Sequence, residues 1–418
     1  MSKRTQIDPS AHRHALAFIV VVVLLDAIGF GIILPVTPKL IIDLAAVDLS
    51  NASAIGGYLM FAYALMQFFA APVLGNLGDR FGRRPIILYS LVVLAIGYAM
   101  MAAAPSLAWL FAARLIAGAA SSTFALAYAY ITDITPEDKR AQRFGMVGAA
   151  FGGGFILGPV IGGVLGEYGA RLPFIVAAIL AALNVVYGYF ILGESLPIAK
   201  RRPFRLRRAN PLGALIALTK YPAVSGLALA YFLYMLGHLS LPATWTYYTM
   251  EKFGWSEAQI GLSLGYAGVF MILVQAFLIR WAIPRFGAYK AGLVGLLAMT
   301  VGFCGYGLAA SGSQLYFWLA VAALSGFVSP AFQSIMTSQV PADAQGELQG
   351  ALSSMNSVTA ILGPLLMTQL FTRFTGAGAV SYFPGAPFLA AALLTLIALA
   401  LFVPLVRRFE LTALGKAP

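Results

Sequence analysis

Residues 15–36 read ALAFIVVVVLLDAIGFGIILPV. At 1.5 Å per residue an apolar run of about 20 residues crosses the hydrocarbon core of a bilayer. This run does so with one acid, Asp26, near its middle. Placing a charge there costs about 2.5–3.5 kcal/mol on insertion scales, so such an acid is rarely kept without a use. A carboxyl that is neutral in apolar surroundings and charged when wetted is suited to carry a proton. Lys3, Arg4 and Arg13 precede the run in the manner of a signal peptide. No small-residue cleavage site follows, and the run continues past Asp26 to Pro35, so it reads as a retained first spanning helix.

Working outward, the rest of the chain repeats this character. Of 418 residues, 60% are hydrophobic and only 10% charged, with a mean hydropathy of +0.85. That is the composition of an all-α, polytopic membrane protein. The apolar runs are continuous and do not alternate, which excludes an outer-membrane barrel. Eleven more spans are expected at 54–77, 85–104, 107–131, 144–165, 173–192, 224–241, 260–279, 291–308, 315–336, 351–370 and 388–406. The net charge of +12 does not point to nucleic acid, because the basic residues sit in short loops between spans, where they set orientation. Cys304 is the one cysteine and lies in an apolar segment, so there is no intrachain disulfide and no thiolate metal cluster.

Twelve spans place both termini on one side. All but five of the 27 Lys and Arg fall on that side. The exceptions are Lys39, Arg171, Lys252 and Arg373 in the opposite loops and Arg114 inside a span. The basic side is therefore cytoplasmic by the positive-inside rule. The longest loop is basic and carries Pro197, Pro203 and Pro211. It divides the chain into a six-helix half at 1–192, a cytoplasmic linker at 193–221 and a second six-helix half at 222–418. The halves match at a constant offset of 205. Arg80-Phe81-Gly82 recurs as Arg285-Phe286-Gly287, Pro136 as Pro341, Asp138 as Asp343, Gly145 as Gly350, and Gly158-Pro159 as Gly363-Pro364. Each half has six spans, so the copies share one orientation. Such parallel repeats build transporters with a central site between the halves.

Several groups stand out within this frame. The loop Gly75-Asn76-Leu77-Gly78-Asp79-Arg80-Phe81-Gly82-Arg83-Arg84 combines turn-forming glycines with an acid able to pair with arginines or cap the next helix. On residue types alone it also reads as a positive-inside anchor. Gly152–Gly163 reads GGGFILGPVIGG. No lysine follows, so it is not a phosphate loop. Gly154, Gly158, Gly162 and Gly163, with a kink at Pro159, form a flat face for close helix packing. Arg114 is either a cation beside the proton site or a structural, snorkelling arginine. His238 is a proton relay, a substrate contact, or a neutral histidine bonded to a carbonyl. Tyr63, Gln67, Tyr231, Tyr234, Phe270, Gln275, Phe332, Gln333 and Asn356 are candidates to line a cavity. Amides among them serve equally as helix–helix hydrogen bonds.

These pieces resemble the major facilitator superfamily over nearly the whole chain, and within it the proton-coupled drug antiporters. The Gly75–Arg84 signature, the Gly154–Gly163 antiporter-like run and Arg114 with Gly118 carry the likeness. Closer still, Leu25-Asp26-Ala27-Ile28-Gly29-Phe30-Gly31 with Pro35 and Pro38 is similar to the first helix of bacterial tetracycline/proton antiporters. Asp79–Pro85, Ile131-Thr132-Asp133-Ile134-Thr135 and Gln345-Gly346-Glu347-Leu348-Gln349-Gly350 fit the same group. That group has acids where this chain has Gly97 and Met299, and a histidine where it has Met271, while Gln275 and Gln333 agree.

The resemblance implies export of an amphipathic small molecule in exchange for protons across a bacterial inner membrane, by alternating access. Asp26 would carry the proton, with Arg114 tuning it and His238 assisting. Asp79, Arg80, Gly82, Arg83 and Arg84 with Gly75 would govern alternation together with the glycine face. The expected partners are substrate, protons and membrane lipid, for a monomer without cofactor, metal or nucleic acid. The rival within transport is a proton-coupled symporter importing a nutrient. An intramembrane enzyme would need a nucleophile with its base, or a metal site, and one buried acid with one buried histidine supplies neither. A sensor would carry a soluble domain, and no loop is long enough.

Overall fold

The computed structural model describes residues 9–121, 123–204, 222–341 and 344–413. Among these residues the regular structure is helical throughout. Residues 205–221 of the expected linker and Asp343 of the repeat lie outside the described residues.

Ten helical runs are long and apolar enough to cross a membrane, and a bent pair, Leu16–Ile32 with Thr37–Ala45, makes an eleventh. One of the ten, Glu257–Leu308, is 52 residues long. At 1.5 Å per residue it would reach more than twice the ~30 Å core. It is interrupted at Gly287, whose φ of 81° and ψ of 161° are not helical, so it makes two crossings. The first span is thus Pro9–Ile32 with Thr37–Ala45, followed by the second, Leu49–Phe81, and the third, Arg83–Ala102. The fourth to seventh are Leu107–Ile134, Glu137–Glu167, Leu172–Ile191 and Val224–Phe253. The eighth and ninth are 257–286 and 288–308. The tenth to twelfth are Gly312–Ser338, Gln345–Thr375 and Ala386–Val406.

Local chemistry fixes the helix starts. The Asp48 carboxylate accepts the Asn51 amide at 2.7 Å ahead of the second span. Ser256 and Gln259 cap the eighth reciprocally, at 3.4 and 3.0 Å. Each cap satisfies amides that the first helical turn leaves free.

The repeat is visible in the backbone. Gly82 (φ 108°, ψ 159°) turns the chain between the second and third spans as Gly287 does between the eighth and ninth. Pro159 and Pro364 sit inside helices of 31 residues each. The interruptions match as well. The first span bends by 48° at 33–36, and the seventh breaks at Leu239, between Pro222–His238 and Ser240–Phe253. The fourth stops at Ala120 and resumes at Thr123; the tenth tightens to a 3₁₀ turn over Ala323–Phe327. Hydropathy gives both of these as unbroken spans, and the structure divides both. Small and hydroxyl residues at the breaks keep apolarity high while loosening the helix.

The glycine face of the fifth span resolves into two. Added side chains on Gly154, Gly158 and Gly162 would strike the backbone of the first span at Leu24, Ile28 and Ile32. Gly163, one residue and about 100° further round, faces the carbonyl of Glu257 on the eighth span instead. Three glycines therefore bind the first span within its own half, and Gly163 joins the halves.

Contacts between the halves gather at one end. There Ser50 Oγ donates to the Thr372 carbonyl (3.2 Å), and Thr372 and Thr375 hydroxyls donate back to Ser50 (both 2.8 Å). Lys39 pairs with Glu257 at 3.1 Å, and Ser256 Oγ donates to Glu167 at 2.7 Å. At the end carrying the basic loops the halves separate. Side chains on Gly75, Gly145 and Gly148 would meet nothing within 4 Å. A space of about 1160 Å³ opens there between Tyr128 and Phe144 on one side and Pro330, Gln333, Thr337 and Gln349 on the other.

Candidate functional site

Asp26 lines a cavity of about 470 Å³ with Phe30, Tyr63, Gln67, Tyr98, Ser121, Thr123 and Phe151. The break in the fourth span makes this possible. With Ser121 out of the helix, its side chain is open to partners from the second span. Tyr63 and Ser121 hydroxyls lie 2.5 Å apart, and Gln67 Nε2 donates to both the carbonyl and the hydroxyl of Ser121, each at 3.0 Å. Thr123, first residue of the resumed helix, reaches the Asp26 carboxyl. Irregular backbone at membrane depth is tolerated where it lines such a cavity. Gly118 lets the second and fourth spans approach, because a side chain there would strike the Tyr63 carbonyl. Gly29, one turn from Asp26, leaves room for the Tyr98 hydroxyl.

Arg114 is 7% exposed. Its guanidinium lies 5.9 Å from the Tyr63 ring centroid, and among the described residues no carboxylate is within ion-pair distance of it. Tyr63 and Tyr98 are within electrostatic reach of both Arg114 and Asp26. Tyr247, from the other half, also reaches Arg114. The cation thus lies over the Tyr63 ring with Tyr98 and Tyr247 within electrostatic reach, a setting that favours a buried arginine.

His238 is in a second cavity, of about 260 Å³, with Gln275, Ser325, Met271 and Met299. Its Nδ1 is buried without a hydrogen-bond partner. Phe151 belongs to both cavities. Of the other candidates, Gln333 lines the open mouth and donates to Gln349 at 3.2 Å. Tyr231 and Phe332 meet as tilted rings with centroids 5.4 Å apart, and Phe332 packs at 4.8 Å on Phe402, inside the second half. Tyr234 lies beside His238, with ring centroids 5.7 Å apart. Phe270 rests on Tyr266 at 4.7 Å, and Asn356 is exposed.

The expected Gly75–Arg84 loop is instead the end of the second span and the start of the third, joined at Gly82 alone, and it carries a charge network. Arg83 spans Asp79 (2.5 Å) and Asp133 at the end of the fourth span (3.3 Å). Ser195 donates to Asp133 at 3.1 Å. Glu194 accepts the Arg83 amide at 2.8 Å and lies 3.8 Å from Arg201. Arg84 donates to the Tyr189 carbonyl at 2.8 Å, while Arg80 is exposed over Phe81. A side chain on Gly82 would meet the Glu194 carboxylate.

Sequence reasoning did not single out Ser121, Thr123, Ser325 or Glu194 as functional. The run Ala117-Gly118-Ala119-Ala120-Ser121-Ser122-Thr123 held a signal, since three hydroxyls in a row inside a span favour local bonds over the helix.

The chain matches the model of the Major Facilitator Superfamily over residues 16–224 and again over 227–416. It is 39% identical over 386 residues to the class C tetracycline resistance protein of Escherichia coli, covering 92% of this chain and 96% of that one. It is 35% identical over 402 residues to the class G tetracycline resistance protein of Vibrio anguillarum, covering 93% and 96%. Among solved structures, the human organic anion transporter MFSD10 superposes with a TM-score of 0.70 at 26% identity, covering 95% of this chain and all of that one. Twelve spans in two repeats, a cavity between them and a family match across both halves agree: the chain belongs to the major facilitator superfamily.

Proposed function

We propose that this protein is a proton-coupled antiporter that exports an amphipathic small molecule by alternating access. The observation that carries this reading is Asp26, a lone acid at mid-span. It lines a cavity of about 470 Å³ in a molecule whose halves part at the basic-loop end and are joined at the other. In this inward-facing state water can enter, Asp26 can release its proton to the cytoplasm, and substrate can take its place beside the charged carboxylate. Closing the mouth and parting the Lys39–Glu257 end would carry substrate outward, where reprotonation of Asp26 discharges it. Arg114, held among tyrosines that also reach Asp26, biases the charge state of the site. The names of the relatives, tetracycline resistance proteins, support export of a drug-like molecule.

The moving bodies in this reading are 1–192 and 222–418, joined by 193–221, with both termini on the cytoplasmic side of a bacterial inner membrane. The protein works as a monomer surrounded by lipid. The Gly75–Arg84 segment, with Asp79 and Arg83 at its centre, sets the conformational balance; Gly154, Gly158 and Gly162 hold the first span to the fifth, and Gly163 with the Pro159 carbonyl, against Glu257 and Gly261, provides a surface on which the bodies turn. The test is a proteoliposome screen in which added compounds dissipate an imposed pH gradient. No response to any amphipathic compound, or a full response from Asp26→Asn, overturns the reading.

A further inference from the structure

The halves meet differently on the two flanks of the sealed end. On one flank the contact is backbone against backbone: a side chain on Gly261 of the eighth span would strike the Pro159 carbonyl of the fifth. Gly56 of the second span is the counterpart of Gly261 at the offset of 205, and its close neighbour is a side chain. A side chain on Gly56 would strike the hydroxyl and ring of Tyr247, from the seventh span of the other half. Gly57 takes the Thr368 hydroxyl of the eleventh span in the same way. Tyr247 is thus a ring carried by one half and seated on bare backbone of the other. It is 5% exposed, and its ring lies beside Phe371, with centroids 6.3 Å apart.

The preceding residue fixes the approach. Thr246 Oγ1 donates to the Leu34 carbonyl at 3.2 Å. The helical donor to that carbonyl would be residue 38, which is Pro38 and has no amide hydrogen. Adjacent residues of the seventh span therefore grip the first and second spans of the opposite half.

Tyr247 lies six residues from the outer end of its helix at Phe253, Gly56 seven from Leu49, and Arg114 seven from Leu107. At 1.5 Å per residue all three are about 10 Å below the outer ends of their helices. Thr123, which reaches Asp26, is nine residues deeper than Arg114 on the fourth span. Arg114 is within electrostatic reach of Tyr247 across the interface, and of Tyr63 and Tyr98, which also reach Asp26. A string of polar side chains runs from the proton site to the interface, and Tyr247 stands at its outer end.

We propose that Tyr247 is an interdomain plug: seated on Gly56, it closes the Arg114–Asp26 site against the outer face, and it leaves with the second half when the outer end opens, admitting the water that brings protons to Asp26. The proposal rests on the export reading and adds the positioning residue that keeps exchange tight. In the inward-facing state of that reading, water reaches Asp26 from the cytoplasm, so a second opening at the outer end would let protons run straight through. Cutting Tyr247 back leaves a gap beside the charged Arg114, and a gap with polar partners fills with water where an apolar one stays dry. The positive guanidinium repels a proton on bare water, so passage also requires the Asp26 carboxylate.

The test is substrate-free proton leak into proteoliposomes of the full-length protein, read from an entrapped pH-sensitive dye after an external acid pulse, with valinomycin and potassium holding the potential at zero. Tyr247→Ala should leak about tenfold faster than the parent through its water-filled gap. Tyr247→Phe keeps the ring in place and should stay within about twofold of the parent. Adding Asp26→Asn to Tyr247→Ala should return the leak to the parent rate, whereas general loosening of the helices would leak with or without Asp26. Tyr247→Leu, which keeps apolar bulk but does not reach Gly56, decides the matter if Tyr247→Ala fails to fold. A tight vesicle on truncation, equal leaks from the Ala and Phe variants, or a leak that survives Asp26→Asn overturns the plug. Compound-driven proton exchange by the parent together with a tight Tyr247→Ala overturns the plug alone and leaves antiport standing. A parent that answers no compound, yet leaks through Asp26 once Tyr247 is cut back, overturns export and leaves the plug.

Discussion

Lys39 and Glu257, from opposite halves, form an ion pair of 3.1 Å at the sealed end of the molecule. Lys39 is 43% exposed and Glu257 12%, so solvent screens the attraction, and pairs of this kind contribute about 0.2–1 kcal/mol. Glu257→Gln should therefore shift the population toward the outward-open state by no more than about fivefold. Spin-label distances across the sealed end check this; an unchanged distribution would show that the hydroxyl contacts of Ser50, Thr372 and Thr375 hold the seal alone.

Asp26→Asn should fold and insert normally yet lose transport driven by a pH gradient. Among the residues lining the Asp26 cavity no second carboxylate is present to take over. The measurement is gradient-driven uptake in inverted vesicles, with protein amount normalised by blot. Asp26→Glu, which keeps the acid, should retain part of the rate.

Asp79→Ala should slow transport while leaving substrate affinity nearly unchanged. Asp79 pairs with Arg83 among side chains of the first half and is absent from the lining of either central cavity. Its loss changes a conformational equilibrium rather than a ligand contact. A large loss of affinity with unaltered conformational populations would contradict this.

Gly163→Ala should weaken closure of the sealed end. The new methyl would overlap the Glu257 carbonyl, and overpacking of this kind costs about 1–3 kcal/mol. Gly145→Ala, where space is open, is the control. Thermal melting of the inward-facing protein should fall for the first and not for the second.

Tetracycline should be exported weakly or not at all, despite the names of the relatives. In the antiporters this chain resembles, the drug travels as a magnesium chelate, and magnesium prefers oxygen ligands. Met271 and Met299 line the central cavity here, and Gly97 is packed against Ala117 and Ala113, where an acid would not fit. The inhibitory concentration of tetracycline in a pump-deleted host decides it; a many-fold rise that depends on Asp26 would show the missing groups to be dispensable.

The repeat and the twelve crossings were legible in the sequence because hydropathy and a constant offset survive without knowledge of packing. The breaks opposite Asp26 and beside His238 were not, since Ser121 and Ser325 lie in stretches as apolar as their neighbours. Phe332 looked like a cavity residue and lies instead between Tyr231 and Phe402. In lipid all faces of a helix are apolar, so periodicity does not say which one looks inward. Long-range partners such as Arg83 and Asp133, fifty positions apart, leave no trace in local composition.

The two positive-φ glycines of the repeat differ in what surrounds them. Gly82 is hemmed in by Glu194 and Arg201, whereas a side chain on Gly287 would meet nothing within 4 Å. In mechanical terms the duplication produced one clamped joint and one free joint. At Gly82 the start of the connecting segment is lashed across the turn, Glu194 accepting the Arg83 amide and lying beside Arg201; the equivalent turn at Gly287 carries no such strap among the described residues.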